Sequence, residues 1–600
     1  MLRQDLPAQH PRLPPRGLVS AILVAGQRLL PETPRPATVA CITGAGLRNW
    51  ATNGGAVTTA FLEDVHVNDM LTTLAQADRV TIFVGAGSSM EVGLPSWSAL
   101  IDRLLRRVAL DRKLADPEQV QRFTDAVKRE VDGVIAAATV IRTHFQNPTF
   151  RGDADAFIRK ALYSDTRGDD LVPRFGPTAR AVARLVPLWP LGSLEIITTN
   201  YDLLLEDALD DCFGHANTAG PPFGNLVGGF PARTDRQVVR RRFAVRHLHG
   251  ALDPTADATR ELTPVVIAES DYEQVQAEKS WQRRLLLRRL QNSVCVFVGA
   301  SMTDVNVLRF LRLAANTPSA QPHVALLTRG ARPGSPEIES VLRDAVRTRW
   351  AEYGVEALYP TFFIESSQFL EELGRRRRAL NAGGAADPPG DRYAARLSRW
   401  EREIGAQQLV RAPDDALRTA QDQAHGALCA WLHEAKGLMP PRLRAELSRD
   451  TLGMQLWVVQ DGGERLLLWA TSTNSWRDAS AFEAIPVELP SRWGAVEAYC
   501  AGSPVLREFP GDAGTRWRAA LNVPVFLTDE PWQRLPVGVA SLSAMDRQKD
   551  RLLPELKQNE RDKLVALIEA AAAEYLTPLA PPTGRRSARA TKRGKLGATP

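Results

Sequence analysis

The apolar positions of this chain fall into two rhythms, with a break between them. From residue 80 to residue 359, short β-branched or aromatic runs alternate with longer stretches whose apolar residues recur every three to four positions. The runs are Val80–Val84, Leu194–Thr198, Ala244–Leu248, Val265–Ile267, Val294–Val298 and Val324–Leu327. Continuous apolar runs of this length predict strands buried on both faces, as in a parallel sheet. The stretches between them predict helices: Met70–Gln76, Trp97–Leu110 with Ser96 as N-cap, Val120–Val127, Val131–Phe145 and Trp281–Leu290. Residues 116–190 read as a mostly helical insertion. Val355–Tyr359 adds a last strand stopped by Pro360, and Ser367–Leu380 closes the unit as a helix. Strand and helix in alternation predict a doubly wound, Rossmann-like α/β domain over residues 66–380.

The rhythm then breaks. Arg375–Arg378 and the Pro/Gly-rich stretch from Asn381 to Gly390 mark a boundary, with a linker over 381–412. Leu417, Ala420, Ala424, Leu428 and Trp431 form a stripe at helical spacing, which suits either a helix packed on its own domain or a dimerising one. From Gly453 the period becomes that of strands: Met454–Val459, a Gly462-Gly463 turn, Arg465–Thr471 and Phe482–Leu489. A helix near Trp493–Cys500, strands Trp517–Leu527 and Leu535–Leu542, and a helix over Pro554–Tyr575 complete a smaller α+β domain at 413–578. Its order, with Pro536-Val-Gly-Val-Ala540 in the last strand, is similar to GAF-type sensor domains.

Composition narrows the setting. At 600 residues two folded domains are expected, and 44% hydrophobic with 24% charged residues is ordinary for a globular protein. No run approaches the roughly 18 apolar residues of a membrane span. Leu18–Gly26 is short, and no small-residue cleavage site follows it, so a signal peptide is not the expected reading. The five cysteines are scattered and odd in number, which suits free thiols in a reducing cytoplasm. Residues 1–65 read as a disordered extension; Gly44-Ala45-Gly46 within it lacks the amphipathic helix that a binding turn needs. The net charge of +6 equals the charge of Arg585, Arg586, Arg589, Lys592, Arg593 and Lys595 in the final twenty residues. The tail at 579–600 therefore carries the whole excess and reads as disordered; any contact with nucleic acid would come from it.

The candidate chemistry sits at the ends of predicted strands. Gly85-Ala86-Gly87-Ser88-Ser89 follows the first run, Thr198-Thr199-Asn200-Tyr201-Asp202 closes the second, His247-Leu248-His249-Gly250 closes the third, and Gly299-Ala300-Ser301 follows Val294–Val298. In an open parallel sheet the carboxyl ends of strands meet at one crevice, where ligands bind. Gly85 and Gly87 would let backbone approach a pyrophosphate, Ser88 and Ser89 would donate to it, and Gly299 and Ser301 would do the same opposite. Ala86 and, past the second turn, Asp304 and Asn306 are expected to line the same cofactor site, with Asp304 also suited to N-cap the next helix. Met90 breaks the Gly-x-Gly-x-x-Gly spacing and no acid marks a ribose site on a second strand, which argues against hydride transfer. A lone histidine is usually structural, and an asparagine at a turn often only bonds that turn.

The order of these strings, with Glu91-Val92-Gly93-Leu94-Pro95-Ser96-Trp97 after the first, resembles the sirtuin superfamily over residues 66–375. The resemblance implies an NAD⁺ site including Pro95, Trp97 and Thr199, with Asn200 holding water or ribose and His249 as base. Asp202 would hold the ribose or orient its neighbours, and His247 would support His249 from the same strand face. Cleaving the nicotinamide–ribose bond expels a neutral leaving group, so the site must stabilise an oxocarbenium-like sugar and supply a nucleophile.

One departure decides between branches. Deacetylating sirtuins carry two Cys-x-x-Cys pairs around zinc; here no two cysteines lie within four residues, so no zinc and no metal site is expected. With the acyl-lysine cleft unsupported, water becomes the nucleophile. The chain then resembles bacterial sirtuin-like NADases of anti-phage defence, in which a sensor domain controls the enzyme. The resemblance implies a cytoplasmic NAD⁺ glycohydrolase, homo-oligomeric, triggered by a small ligand or phage protein at the GAF-like domain. The alternatives are an NAD-dependent ADP-ribosyltransferase or deacylase, and a non-catalytic regulator that senses NAD or ADP-ribose.

Overall fold

The computed structural model describes residues 61–576 except 115, 132, 148–149, 151, 164–174, 191, 214–244, 255–264, 318–322, 328–335, 387–391, 404–424, 427, 431–451, 473–483, 510–516, 529–533, 546–552, 555 and 557. Residues 1–60 with the Gly44–Gly46 turn, the basic tail, and most of the stripe between Leu417 and Trp431 lie outside these residues. Residues 61–65, expected to be disordered, are ordered: Phe61–Glu63 is a 3-10 turn whose Phe61 and Leu62 are buried in the first core, and Val65 opens a helix. Leu428 is described, and is buried in the core of the second sheet.

Six parallel strands make the first sheet: β1 Val80–Val84, β2 Leu194–Thr198, β3 Val245–His247, β4 Val294–Val298, β5 His323–Leu326 and β6 Val355–Leu358. Their order, β3-β2-β1-β4-β5-β6, reverses between β1 and β4. Every residue of β1, β2 and β4 is buried, which is why they read as continuous apolar runs. Alternation sends Ile82, Ile196 and Val296 to one face, against helices Val65–Gln76, Pro177–Leu185 and Phe363–Asn381. Phe83, Ile197 and Phe297 go to the other, against Trp281–Asn292 and Val305–Ala315. This is the two-faced, doubly wound α/β architecture expected.

The helical insertion has its own core, where Leu104, Ile141 and Phe157 from three helices meet Tyr201 and Ile267. Val265–Ile267, expected as a strand, is an irregular segment instead. Its bonds go elsewhere than to a ladder: Val266 N–H donates to His249 O at 3.0 Å, and Tyr201 Oη donates to Val266 O at 2.6 Å. Val265 and Ile267 fill the insertion core while Val266 turns to Tyr272 and Val275. An apolar alternation thus serves two small cores rather than a sheet.

The second sheet is antiparallel: β7 Leu452–Gln460, β8 Arg465–Thr471, β9 Ala484–Pro486, β10 Val505–Glu508, β11 Ala519–Thr528 and β12 Arg534–Ala544, ordered β10-β11-β12-β7-β8-β9. Helices Gly494–Ala501 and Gln558–Leu576 supply part of its core. The pattern missed β10, an edge strand with no buried residue. The stretch expected as linker holds a helix, Tyr393–Glu403, whose Leu397 and Trp400 enter that core.

Helix Phe363–Asn381 joins the two parts. Phe369 and Leu373 lie in the first core, while Phe362 packs on the second. Arg376 is buried and donates to Asn68 O (2.6 Å), Thr72 Oγ1 (2.7 Å) and Asn68 Oδ1. Glu372 is equally buried between Arg375 (2.9 Å) and Arg396, which the helix Tyr393–Glu403 contributes. Breaking a buried ion pair from one side costs about 3–5 kcal/mol, because it strands the partner charge. Glu372→Ala is expected to destabilise the protein by about that amount in denaturant unfolding; a change within about 0.5 kcal/mol, as at exposed sites, would show the pair to be idle.

Candidate active site

The reversal of strand order between β1 and β4 fixes where a crevice opens, and the two glycine turns leave the sheet there. They lock into each other. Gly85 N–H donates to Val298 O (2.9 Å) and Gly87 N–H to Gly299 O (2.7 Å). A Cβ on Gly85 would stand 2.5 Å from Ala300 Cα, and one on Gly87 would stand 2.8 Å from Gly299 Cα. Gly299 itself has φ +63°, a conformation that side chains disfavour. The glycines therefore serve the approach of one strand end to another.

That interlock uses up donors expected to face phosphate. Ser88 N–H donates to Gly85 O, and Ser89 and Met90 N–H both donate to Ala86 O. Ser88 Oγ donates to Gly85 O at 2.9 Å, and Ser89 Oγ to Asp202 Oδ2 at 2.7 Å. Gly87–Met90 is one helical turn only. The N–H groups of Ala86, Ala300 and Ser301 have no partner among the described residues, so the crevice keeps its backbone donors there. Ser301 Oγ is exposed and shares a 2.7 Å hydrogen bond with Thr303 Oγ1.

After β2 the chain turns through Thr199, and Thr198 Oγ1 receives the Asn200 N–H at 3.0 Å while donating to Val84 O at 2.8 Å. Asn200 is buried. Its Nδ2 donates to Gly85 O (3.1 Å) and Ser89 Oγ (2.9 Å), pinning the side chain to the glycine turn. Its Oδ1 is buried with no hydrogen-bond partner among the described residues. An unsatisfied buried acceptor costs about 1–3 kcal/mol, so this oxygen calls for a donor such as water or a sugar hydroxyl. Asn306 presents the same feature: Nδ2 donates to Tyr272 O at 3.3 Å and Oδ1 is left over.

Asp202, expected to hold the ribose or orient its neighbours, is bonded to two of those neighbours. Besides Ser89 Oγ it accepts Leu204 N–H at 3.2 Å, at the start of helix Leu204–Phe213. Burial raises its pKa, against the pull of those two donors. His247 ends β3, contacting Asn200 O with Nδ1 (2.8 Å) and Glu206 with Nε2 (2.8 Å). Burial pushes this imidazole down, but Glu206, the Asn200 carbonyl and Asp202 together outweigh it and the pKa rises. His247 thus braces the Asn200 turn rather than standing beside His249 on one strand face.

His249 lies past the strand, in a turn completed by Gly250 at φ +81°. Its Nε2 is 3.4 Å from Asp304 Oδ2, and its ring stands edge-on to Tyr272, 5.1 Å between centroids. Burial lowers its pKa, only partly offset by Asp304, so the ring is neutral near pH 7 and able to accept a proton. Asp304 caps helix Val305–Ala315, its Oδ1 accepting from Asn306 and Val307 N–H, each at 2.9 Å.

Pro95 is buried, and Trp97 opens helix Trp97–Asp111 behind the Ser96 cap, its ring 6.2 Å from Tyr201. Sequence reasoning did not single out two residues that the structure brings forward. Tyr272 is one; it stands between Asp271 and Glu273 with no motif to mark it. Glu91 is the other: it accepts Thr178 N–H at 3.0 Å, tying the glycine loop to helix Pro177–Leu185, and burial pushes its pKa up to about 8. Among the described residues no group of three or more His, Cys, Asp or Glu is placed to hold a metal ion, and no helix is long and apolar enough to cross a membrane. Among the described residues Cys212, Cys295, Cys429 and Cys500 form no disulfide with one another.

Residues 194–358 match the family model of the SIR2-like domain, a span from β2 to β6 that contains Asn200, His249, Gly299 and Asp304. Among solved structures the chain is similar to one described as "Structural Basis for the Mechanism and Regulation of Sir2 Enzymes", at 16% identity over 53% of this chain and 99% of that one, with a TM-score of 0.28. A crystal structure of a Sir2 homolog–NAD complex is similar at 13% identity over 52% and 94% of the two chains, TM-score 0.25. The second GAF domain of DevS from Mycobacterium smegmatis is similar at 16% identity over 22% and 86%, TM-score 0.17. No curated protein matches the chain.

Proposed function

We propose that this protein is an NAD⁺ glycohydrolase that releases nicotinamide and ADP-ribose, with water as the nucleophile. The observation that carries the reading is the pairing of a fixed, unsatisfied amide oxygen on Asn200 with a buried imidazole on His249, at the ends of neighbouring strands. In this reading Asn200 Oδ1 receives a hydrogen bond from water or a ribose hydroxyl. His249 takes the proton as the oxocarbenium-like sugar is attacked. The match of residues 194–358 to the SIR2-like domain supports NAD⁺ as substrate. The lack of any paired cysteines in the sequence supports hydrolysis over acyl-lysine chemistry.

The domain at 413–578 is the proposed regulator, of GAF type, responding to a small ligand or phage protein in anti-phage defence. Uncontrolled NAD⁺ loss would kill the host cell, which gives a cytoplasmic enzyme of this kind reason to be held in check. The boundaries 66–380 and 413–578 and a homo-oligomeric state belong to the same proposal. Helix Phe363–Asn381 is bonded to Arg396 through Glu372, so the enzyme is best tested as the full chain.

Chromatography of NAD⁺ incubated with the full-length protein is expected to show free nicotinamide and ADP-ribose in equal amounts. O-acyl-ADP-ribose formed with an acylated peptide, or ADP-ribose attached to protein, would replace this reading with a deacylase or transferase. Saturable NAD⁺ binding without product over hours would replace it with a sensor.

A further inference from the structure

We propose that Asp304 and Tyr272 are positioning residues that hold the His249 imidazole in register for proton transfer without touching the substrate. The kinetic consequence rests on the hydrolase reading; the arrangement itself rests on geometry. His249 is beyond the end of β3, in a turn, so no ladder bond fixes its ring. Among the described residues its polar neighbour is Asp304 and its aromatic neighbour is Tyr272.

Both neighbours are themselves fixed. The two cap bonds to Asn306 and Val307 engage Asp304 Oδ1, which leaves Oδ2 turned toward His249. Tyr272 packs with Val266 and Val275, and its carbonyl accepts from Asn306 Nδ2. One residue, Asn306, thereby ties the helix that carries the carboxylate to the helix that carries the ring. Val266 N–H, from the segment leading into Tyr272, also holds the His249 carbonyl. Two elements thus meet the imidazole and a third holds the backbone of the same residue.

The charges agree with this role. A carboxylate facing Nε2 favours the tautomer with its N–H there, leaving Nδ1 as the proton acceptor. The imidazolium formed on accepting a proton is then stabilised by Asp304. Of the other titratable groups close by, Tyr201 and Asp271 are engaged elsewhere, while the Tyr272 hydroxyl is hydrogen-bonded to Asp304 itself. Tyr201 donates to Val266 O, Asp271 is paired with Arg142, and burial together with Asp304 pushes the Tyr272 hydroxyl far up.

Asp304→Asn tests the proposal because asparagine still offers an oxygen to the helix cap while the charge is lost. Asp304 raises the His249 pKa, so its removal lowers it further. The expected results are a fall in nicotinamide release of roughly 10–100-fold and an acidic limb of the pH profile displaced to lower pH. An unmoved limb overturns the proposal, since a merely structural loss would scale the profile without shifting it. Tyr272→Leu provides an independent variant: kcat falls roughly tenfold with KM unchanged, and Tyr272→Phe, which keeps the ring edge, recovers most of it. Equal kcat in Tyr272→Leu and the parent overturns the role of the ring. A readout free of turnover separates this inference from the hydrolase reading. The His249 imidazole is titrated by NMR, its signal assigned by its loss in His249→Gln. A lower midpoint in Asp304→Asn supports the positioning role even if the parent releases no nicotinamide, whereas equal midpoints overturn it.

Discussion

His249→Ala is expected to reduce nicotinamide release from NAD⁺ by about 10²–10⁴-fold, the range of a lost general base, while the protein stays folded. The side chain is buried at 4% exposure, and its polar neighbour Asp304 is partly exposed and keeps both helix-cap bonds on Oδ1 when the imidazole is removed. Its removal strands no buried charge, and His249→Gln fills the same space for comparison. Asn200→Ala should be equally inactive but for two reasons at once. Its Nδ2 holds Gly85 O and Ser89 Oγ, so its loss also frees the glycine turn. The histidine is therefore the cleaner test. Product chromatography alongside thermal unfolding decides it: turnover undiminished in both variants would remove them from the chemistry.

The sheet was legible because β1, β2 and β4 are buried on both faces and are filled mostly by apolar residues, the polar exceptions being partnered: Thr81 with Ser293, Glu195 with Arg246, and Thr198 with Val84 O. β10 was not, because an edge strand with half-exposed residues carries neither a run nor a clean alternation. The helix Tyr393–Glu403 had a signal, in Tyr393, Leu397 and Trp400 at helical spacing, but a Pro/Gly-rich stretch just before it and intervening arginines made it look like linker. At the site, residue types and strand ends were readable, whereas the direction of each hydrogen bond was not. Ser88 and Ser89 look like phosphate ligands in sequence; in the folded chain Gly85 O and Asp202 claim their protons. Tyr272 comes to His249 only through the irregular segment Val265–Ala268, and no local pattern encodes that crossing.

The glycine turn yields the other large effect, and here the reason differs from the one its sequence suggests. Gly85→Ala is expected to destabilise the protein by about 3 kcal/mol, the upper end for overpacking, and to lower Tm by about 6–12 °C on the scale of a 150–250-residue domain. The new Cβ would meet Ala300 Cα at 2.5 Å, Gly299 O at 2.6 Å and Ala300 N at 2.8 Å. All three are backbone atoms, so no rotamer change relieves the clash; the ends of β1 and β4 must part. Gly93→Ala, a few residues on, is the control. Gly93 has φ +86° with nothing within 4 Å, so alanine there meets only the left-handed backbone penalty of about 1–2 kcal/mol. If Gly85 were needed only to admit a ligand, its substitution would weaken NAD⁺ binding and leave the unfolding midpoint near that of the parent. The interlock demands the opposite order: Tm falls first and further in Gly85→Ala than in Gly93→Ala, with or without NAD⁺. Binding is lost as a consequence, because Ala86, Ala300 and Ser301, whose N–H groups have no partner among the described residues, move with the turns that carry them.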